Sequence, residues 1–193
     1  INGLTDNSEA SAYTKTHEFQ ASFERRFSKG WNLNLAYSAM KIRDADVFLN
    51  EFDAQRTLRP SNDGRPHRFT GTGVYSVPVG KGRKYLGGVN RLVDGVLGGW
   101  QLAATYEWQP GLLLDFGNLF YYGNDTSEIL NVTRTWDTWF NTANFERTAA
   151  RGPAGYHVRV FPTRLEGLRA DSTNQWNANA SKNFSLSKDG GAT

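Results

Sequence analysis

The chain has 193 residues, which is enough for one or two domains. Its mean hydropathy is −0.58, and because it has no apolar run near the ~20 residues that a transmembrane helix needs, such a helix is excluded. The 22 basic residues are scattered among 19 acidic ones, which argues against a nucleic-acid partner, and the lack of cysteine excludes disulfides and thiolate metal sites.

Period-two alternation of apolar and polar residues begins at residues 17–28 and indicates a β-strand. Its apolar row is Phe19, Ala21, Phe23 and Phe27. Lys29-Gly30 predicts a tight turn, after which residues 31–39 repeat the alternation. The second apolar row is Trp31, Leu33, Leu35, Tyr37 and Ala39. We therefore predict that the two strands form a β-hairpin.

Three further segments alternate in the same way and predict strands at residues 67–77, 99–109 and 174–186. Their apolar rows are Phe69, Gly71, Gly73, Tyr75 and Val77; Trp100, Leu102, Ala104, Tyr106 and Trp108; and Trp176, Ala178, Ala180, Phe184 and Leu186. Lys182 interrupts the last of these rows.

The connections differ in length in a regular order. Residues 29–30 form a short link, residues 78–98 a moderate one with a short helix expected around Val89–Val96, and residues 40–66 and 110–173 form long loops. Because long and short links alternate, an up-and-down sheet would place all long loops at one end, as outer-membrane barrels do. Aromatic residues near the strand ends are placed as in interfacial girdles: Trp31, Tyr37, Trp100, Trp108, Trp176 and Phe184.

We therefore predict an all-β fold of antiparallel up-and-down strands that forms part of a transmembrane outer-membrane β-barrel. Because the smallest such barrel has about eight strands, five strands make an incomplete wall. The first residue is Ile1 and the last residues, Lys188–Thr193, resemble a turn, so we expect both ends to have been cut from a longer chain. The alternative is a soluble β-sandwich binding module, with loop tryptophans suited to sugar rings, in which the apolar row faces a second sheet.

The polar rows would line the barrel lumen. The candidate lumen-facing residues are Glu18, Gln20, Glu24, Arg26, Gln101, Glu107, Gln109, Asn177 and Asn179. In the longest loop, Trp136, Trp139 and Phe140 are candidates for stacking on a ligand, against the alternative that they form a small core of the loop itself. Residues 124–128 cluster oxygen ligands that suit calcium, but they lack EF-hand spacing and favour a solvated loop.

No catalytic constellation is present in the sequence. The three histidines, His17, His67 and His157, fall in different segments without metal-ligand spacing, and Gly-x-Ser-x-Gly is absent. The stretch Gly80-Lys81-Gly82-Arg83 lacks the P-loop pattern and indicates a basic turn. We therefore expect no enzymatic activity, no metal and no cofactor.

Several motifs occur in an order that is similar to a known family. They are Arg65-Pro66-His67-Arg68-Phe69, the stretch from Gly73 to Arg83, the stretch from Val93 to Leu102, Gln109-Pro110-Gly111, the stretch from Trp139 to Phe145, the stretch from Gly167 to Asp171, and Lys182-Asn183-Phe184. From about residue 15 to 187 the chain resembles the late barrel region of TonB-dependent outer-membrane receptors, in particular the Oar-like group of Acidobacteria.

The resemblance implies a bacterial outer-membrane barrel of about 22 strands that takes up a bulky ligand. The implied partners are the lipid of the outer membrane, the rest of the barrel and the plug domain in its lumen. The resemblance also implies the TonB complex, reached through an N-terminal part of such receptors, and a transported ligand whose identity the sequence leaves open.

Overall fold

The computed structural model describes residues 10–155 and 157–184. The strands are β1 (Tyr13–Ser28), β2 (Trp31–Ala45), β3 (Arg59–Pro60), β4 (His67–Ser76), β5 (Trp100–Gln109), β6 (Leu113–Asp115), β7 (Arg164–Arg169) and β8 (Thr173–Lys182). The helices are α1 (Arg91–Leu97) and two 3-10 turns at Thr126–Ile129 and Ala149–Arg151. None of the helices in the described ranges has both the length and the apolar character that a bilayer crossing requires.

The chain divides into two units. The sheet unit contains residues 19–39 and 67–109 together with the segment that starts at residue 173, and so it holds both shorter connections. The loop unit contains the segment before residue 19 together with residues 40–66 and 110–172, which are the two long connections.

The sheet unit is built on antiparallel neighbours in the order β1-β2-β4-β5-β8. Its register places like residues opposite one another: Leu33 faces Gly73, Gly73 faces Ala104, and Ala104 faces Ala178. Since each strand alternates with period two, this register keeps the apolar rows of β2, β4, β5 and β8 on one face and their polar rows on the other. The all-β antiparallel fold predicted from the alternation is confirmed.

The β1–β2 turn has the backbone that tight hairpins require. Lys29 and Gly30 both have positive φ, 53° and 88°, which matches a two-residue turn whose twist suits the flanking strands. The connection from β4 to β5 contains the short helix expected around Val89–Val96, and in the structure this helix covers Arg91–Leu97. Asn90 caps it, because its side-chain oxygen accepts a 2.9 Å hydrogen bond from the Val93 amide.

Several predicted boundaries need correction, since β1 begins at Tyr13 instead of residue 17, β4 ends at Ser76 instead of residue 77 and β5 begins at Trp100 instead of residue 99. The loop predicted at 40–66 is wrong in its first six residues, which continue β2 to Ala45 and pair Arg43 with Pro60 of β3. These residues were missed because charged Lys41 and Arg43 replace the apolar row. The last strand was predicted at 174–186 and runs from Thr173 to Lys182, so residues 183–184 are not strand, while residues 185–186 lie outside the described residues.

The second long connection, predicted as a loop over 110–173, contains β6, β7 and both 3-10 turns and has a small core of its own. Ile129, Phe161 and Leu168 are almost fully buried. Phe161 is the hub of the surrounding aromatic rings, with centroids 5.2 Å from Phe116 and 5.6 Å from Phe145. The core residues are widely separated in sequence and follow no strand or helix period, which explains why the alternation did not reveal them.

Hydrogen bonds join the two long connections within the loop unit. The Asn50 side chain accepts a 2.6 Å bond from the Arg159 amide and donates a 3.0 Å bond to the Arg159 carbonyl. The Asn62 side chain accepts a 2.8 Å bond from the Leu113 amide. Because these bonds satisfy backbone groups of irregular segments, they hold the loops in one arrangement.

Replacing a core residue of the loop unit should destabilise it strongly. Leu168→Ala removes a fully buried side chain, so we expect a loss of about 2–5 kcal/mol in the unfolding free energy of this unit. Denaturant titration followed by near-ultraviolet circular dichroism of the aromatic cluster measures the loss. Leu112→Ala is the matched control, because Leu112 is 48% exposed and belongs to the same unit. Equal losses in both variants would contradict the assigned core.

Two carboxyl groups tie the loop unit's stability to pH. The bidentate hydrogen bonds from Arg59, at 2.8 and 3.1 Å, lower the pKa of Asp46, and the hydrogen bond from Arg43 together with the charge of Lys41 lowers the pKa of Glu166. A lowered folded-state pKa stabilises the fold above the unfolded-state pKa, and this stability is lost as pH falls through the folded value.

We therefore expect the unfolding free energy of the loop unit to decline below about pH 4. The double variant Asp46→Asn and Glu166→Gln should flatten this decline and cost about 0.5 kcal/mol per ion pair at neutral pH, as for other half-exposed pairs. Denaturant midpoints measured between neutral and acidic pH test this. An unchanged acid slope in the double variant would refute the assignment.

Candidate functional site

The polar face of the sheet unit contains the predicted lumen-facing residues of β5 and β8. Asn177 lies opposite Thr105, and Asn179 lies opposite Ala103, so the β8 residues fall in the same rows as the β5 residues. Gln101 and Gln109 stand at the two ends of β5 and pair with Ser181 and Thr173. The face is therefore mainly polar over four strands, with Thr105 and Asn177 near its centre and the paired Val74 and Ala103 as an apolar interruption.

The β1 candidates, which are Glu18, Gln20, Glu24 and Arg26, are even-numbered residues of one strand. In the sheet unit, Glu24 and Arg26 line a shallow cavity of about 340 Å³ together with Asn32, Asn34 and Thr72 of the neighbouring strands. Glu24 and Arg26 therefore lie beside Asn32 and Asn34 of the polar row of β2, and Arg25, Phe27 and Leu33 also border the cavity. Gln20 lies in the same strand row, and Glu18 belongs to the part of β1 that is assigned to the loop unit.

Opposite charges meet on this polar face. The guanidinium of Arg68 donates to the Glu107 carboxylate from Nη2 at 2.9 Å and from Nε at 3.1 Å. The contact is a diagonal one, because Glu107 is directly opposite Thr70, whereas Arg68 is paired with Ser38 of β2 and lies one residue beyond the last pair between β4 and β5. Both side chains remain partly exposed, so the pair leaves a charged but locally balanced surface.

The other face of the sheet unit is apolar and uncovered. Phe19, Phe23 and Trp176 are 61%, 55% and 69% exposed. Tyr106 packs against Trp176 across the β5–β8 pair with centroids 4.1 Å apart. The sandwich alternative requires the apolar row to be buried against a second sheet, and these exposures contradict it. Water would be a poor solvent for such a face, and hydrocarbon a good one.

Aromatic residues bound the apolar face at both ends of its strands. Trp31 and Trp100 are the first residues of β2 and β5, and Phe184 follows the end of β8. At the other end, Tyr37, Phe69 and Trp108 share one row across three strands. From Trp100 to Trp108 the strand spans about 27 Å, which at a barrel-strand tilt of about 40° rises about 21 Å and so covers most of an apolar band of about 25 Å.

Two cationic side chains, Arg25 and Lys182, lie at the end of the apolar face where Trp31 and Trp100 stand. The Arg25 guanidinium is 3.7 Å from the Trp31 ring centroid, a cation–π contact. Lys182, which interrupts the apolar row of β8, extends its ammonium group to the carbonyl oxygens of Val96 at 2.9 Å and Gly98 at 2.6 Å. Its charge therefore lies at the rim, as a snorkelling lysine's charge does, and the apolar band is undisturbed.

The three loop aromatics proposed as ligand contacts are separated by their burial. Trp139 and Phe140 pack against the loop core, and Trp139 Nε1 donates a 2.7 Å hydrogen bond to the Arg169 carbonyl. Trp136 is 97% exposed. Their role toward a ligand stays a prediction, and Trp136 is the one of the three with a free ring surface.

The oxygen-rich segment at 124–128 has a local structural role. The Asp125 side chain accepts hydrogen bonds from the amide and hydroxyl of Ser127, which cap the 3-10 turn at Thr126–Ile129 and lower the pKa of Asp125. Over the described residues, no group of three histidine, cysteine or acidic side chains is arranged to hold a metal ion.

Taken together, an open antiparallel sheet with one polar face, one exposed apolar face and aromatic ends defines a membrane-embedded β-wall. A family model for an outer membrane beta barrel domain matches residues 3–191, and the chain therefore belongs to this family. Its place is the bacterial outer membrane, where the apolar face meets lipid. The searches of curated proteins and of solved structures gave no match.

The two faces should differ in their access to water in a bilayer. The chain contains no cysteine, so Thr105→Cys on the polar face and Ala104→Cys on the apolar face give single reactive thiols. We expect a membrane-impermeant maleimide to label position 105 and to spare position 104, because hydrocarbon excludes the reagent. Mass spectrometry of the reconstituted protein gives the labelled fraction. Faster labelling at position 104 would mean that the faces are assigned the wrong way round.

Proposed function

We propose that this chain is part of the wall of a TonB-dependent outer-membrane transporter that takes up a bulky ligand. The observation that carries the proposal is the polar face of the sheet unit, which runs across β2, β4, β5 and β8 and has hydrogen-bonding groups in successive rows. In a membrane barrel such a face borders the lumen, where it meets water, a plug domain or passing solute.

The charges of the polar face suit this role. Arg68 and Glu107 form an ion pair, and both side chains stay in contact with solvent. A polar surface that moves along them therefore leaves neither charge buried and unpaired. The nearby residues Thr105, Asn177 and Gln175 offer donors and acceptors of both kinds. A plug or a solute could exchange hydrogen bonds with such a surface at little cost.

The loop unit supports ligand capture. Its aromatic core around Phe161 holds the long connections in a defined shape, and Trp136 projects from that scaffold with an uncovered indole. A rigid support that presents an exposed aromatic ring is an arrangement common at binding sites. We propose that the loops lie on the extracellular side, as the long loops of outer-membrane barrels do, and that the chain has no enzymatic role.

The assignment to the TonB-dependent class rests on the motif series. The stretch from Gly73 to Arg83 forms the end of β4 and the basic turn after it, and the stretch from Val93 to Leu102 forms most of α1 and the start of β5. In the receptor class that the chain resembles, uptake depends on the TonB complex of the inner membrane. The partners proposed here are therefore a plug domain, the TonB complex and a ligand of unknown identity.

Uptake by cells that produce the natural protein tests the proposal. The probes are a ferric siderophore, cobalamin and a set of oligosaccharides, each supplied to strains with and without a functional TonB complex. We expect at least one probe to be taken up only when TonB is present. Equal uptake in both strains for every transported probe would contradict the TonB-dependent part.

For the transported probe, Trp136→Ala should raise the apparent KM about tenfold, which corresponds to the ~1–3 kcal/mol that a stacked aromatic ring contributes. The unfolding free energy should stay within about 0.5 kcal/mol, since the side chain is exposed. Leu112→Ala, in the same unit and also exposed, is the control and should leave KM unchanged. An unchanged KM in Trp136→Ala would exclude this ring as a ligand contact.

A further inference from the structure

Helix α1 lies in the β4–β5 connection with its polar side turned toward its own chain. The Asp94 carboxylate accepts a 2.6 Å hydrogen bond from the Lys81 amide. Gly80 and Gly98 approach Asp94 so closely that a Cβ at either position would collide with that side chain. The polar group of the helix is therefore engaged by the connection itself and fixes how the helix is oriented.

The opposite side of α1 is apolar and exposed. Leu92, Val93, Val96 and Leu97 follow the spacing of a single helix face. Leu92 is 83% exposed and Val96 is 67% exposed, and no residue of the helix is buried. This is the reverse of the orientation that a short helix adopts on a water-soluble protein, where the apolar side packs inward.

This apolar surface is continuous with the lipid-facing side of the sheet. The Val96 carbonyl oxygen accepts hydrogen bonds from Trp100 Nε1 at 3.0 Å and from Lys182 Nζ at 2.9 Å. Trp100 and Lys182 face each other across β5 and β8 in the rows that meet lipid. The end of α1 is thus attached to the aromatic rim of the membrane-embedded wall.

The same connection is strongly basic. Within residues 77–99 the side chains of Lys81, Arg83, Lys84 and Arg91 stand against a single acid, Asp94, which gives a formal charge of +3. All four basic residues are exposed. Tyr85 and Leu86, beside them, are also more than half exposed. Basic residues next to exposed aromatic and aliphatic ones are typical of segments that bind the surface of an anionic membrane.

We propose that residues 77–99 form an interfacial anchor that binds anionic phospholipids at the rim of the barrel with the shorter connections. Leu92, Val96 and Leu97 enter the boundary between headgroups and acyl chains. The cations of Arg83 and Lys84 pair with headgroup phosphates. The anchor fixes the depth of the wall in the leaflet, independently of what the barrel transports.

Spin labels on single cysteines test the anchor in the full natural protein, reconstituted in bilayers of phosphatidylcholine with and without phosphatidylglycerol. Leu92→Cys places the label on the apolar side of α1, and Gly95→Cys, where a side chain meets open space, places it on the opposite side. We expect the label at position 92 to collide with oxygen more than with a water-soluble nickel chelate, and the label at 95 to show the reverse. Equal exposure to the nickel chelate at both positions would overturn the proposal.

The charge requirement is tested on the same labelled protein. Phosphatidylglycerol should deepen the label at position 92, and the added pair Arg83→Gln and Lys84→Gln should abolish this deepening. Arg147→Gln with Arg151→Gln, in the loop unit, is the matched control and should not change the depth. A label depth that does not change with phosphatidylglycerol would overturn the assignment to anionic lipid. Dipolar broadening at position 92, which signals contact with a second copy, would overturn it as well.

Discussion

The register between neighbouring antiparallel strands is the constraint on which the rest of this chain depends. In hydrocarbon every backbone N–H and C=O needs a partner, and the ladders give β4 and β5 a paired neighbour on both sides, while β2 lies between β1 and β4. Because side chains alternate with period two, a slip of one residue would move Glu107 and Asn177 into lipid and Trp176 into the polar face. The register of the strands therefore determines both which backbone groups are paired and which side chains meet lipid or water.

The same requirement explains why the sheet is only part of a barrel. β1 and β8 are the outer strands of the described sheet, so each has one side without a ladder partner there. In lipid such an edge would leave several unpaired polar groups, each costing several kcal/mol. Further strands must therefore flank β1 and β8 in the membrane. The uncovered aromatic side chains of Phe19 and Trp176 indicate that this closure surrounds the polar side and leaves the apolar side to the bilayer.

Much of the sheet was predictable because one local rule, alternation, governs every strand in it. The rule correctly grouped Leu33, Ala104 and Ala178 on one face, and it isolated Lys182 as a misfit. It could not say where the ammonium group of Lys182 goes, since the carbonyl groups of Val96 and Gly98 are brought near by folding. The helix in the β4–β5 connection was predictable, but its outward-facing apolar side depends on the contact of Asp94 with Lys81.

The loop unit was largely beyond prediction from the sequence. Ile129, Phe161 and Leu168 are separated by irregular chain, so no period connects them before the fold brings them together. The aromatic residues Trp136, Trp139 and Phe140 looked alike in the sequence, and only burial distinguishes the exposed ring from the two packed ones. The extension of β2 to Ala45 was missed for a different reason. Beyond Ala39, the residues that continue the apolar row of β2 are the charged Lys41 and Arg43.

The pairing of β6 with β7 affects how the chain can assemble. Leu113 is opposite Arg169, the Ala170 amide donates to the Leu112 carbonyl, and the chain at Gly111 comes so close to Ala170 and Asp171 that a side chain would not fit. Before this connection folds, about sixty residues separate the end of β5 from the start of β8. After β6 and β7 have paired, only a few unpaired residues remain between those two ends. Closing the shorter loop saves about 2 kcal/mol of chain entropy. A strand that is distant in sequence can then join the growing wall almost as readily as the second strand of a hairpin.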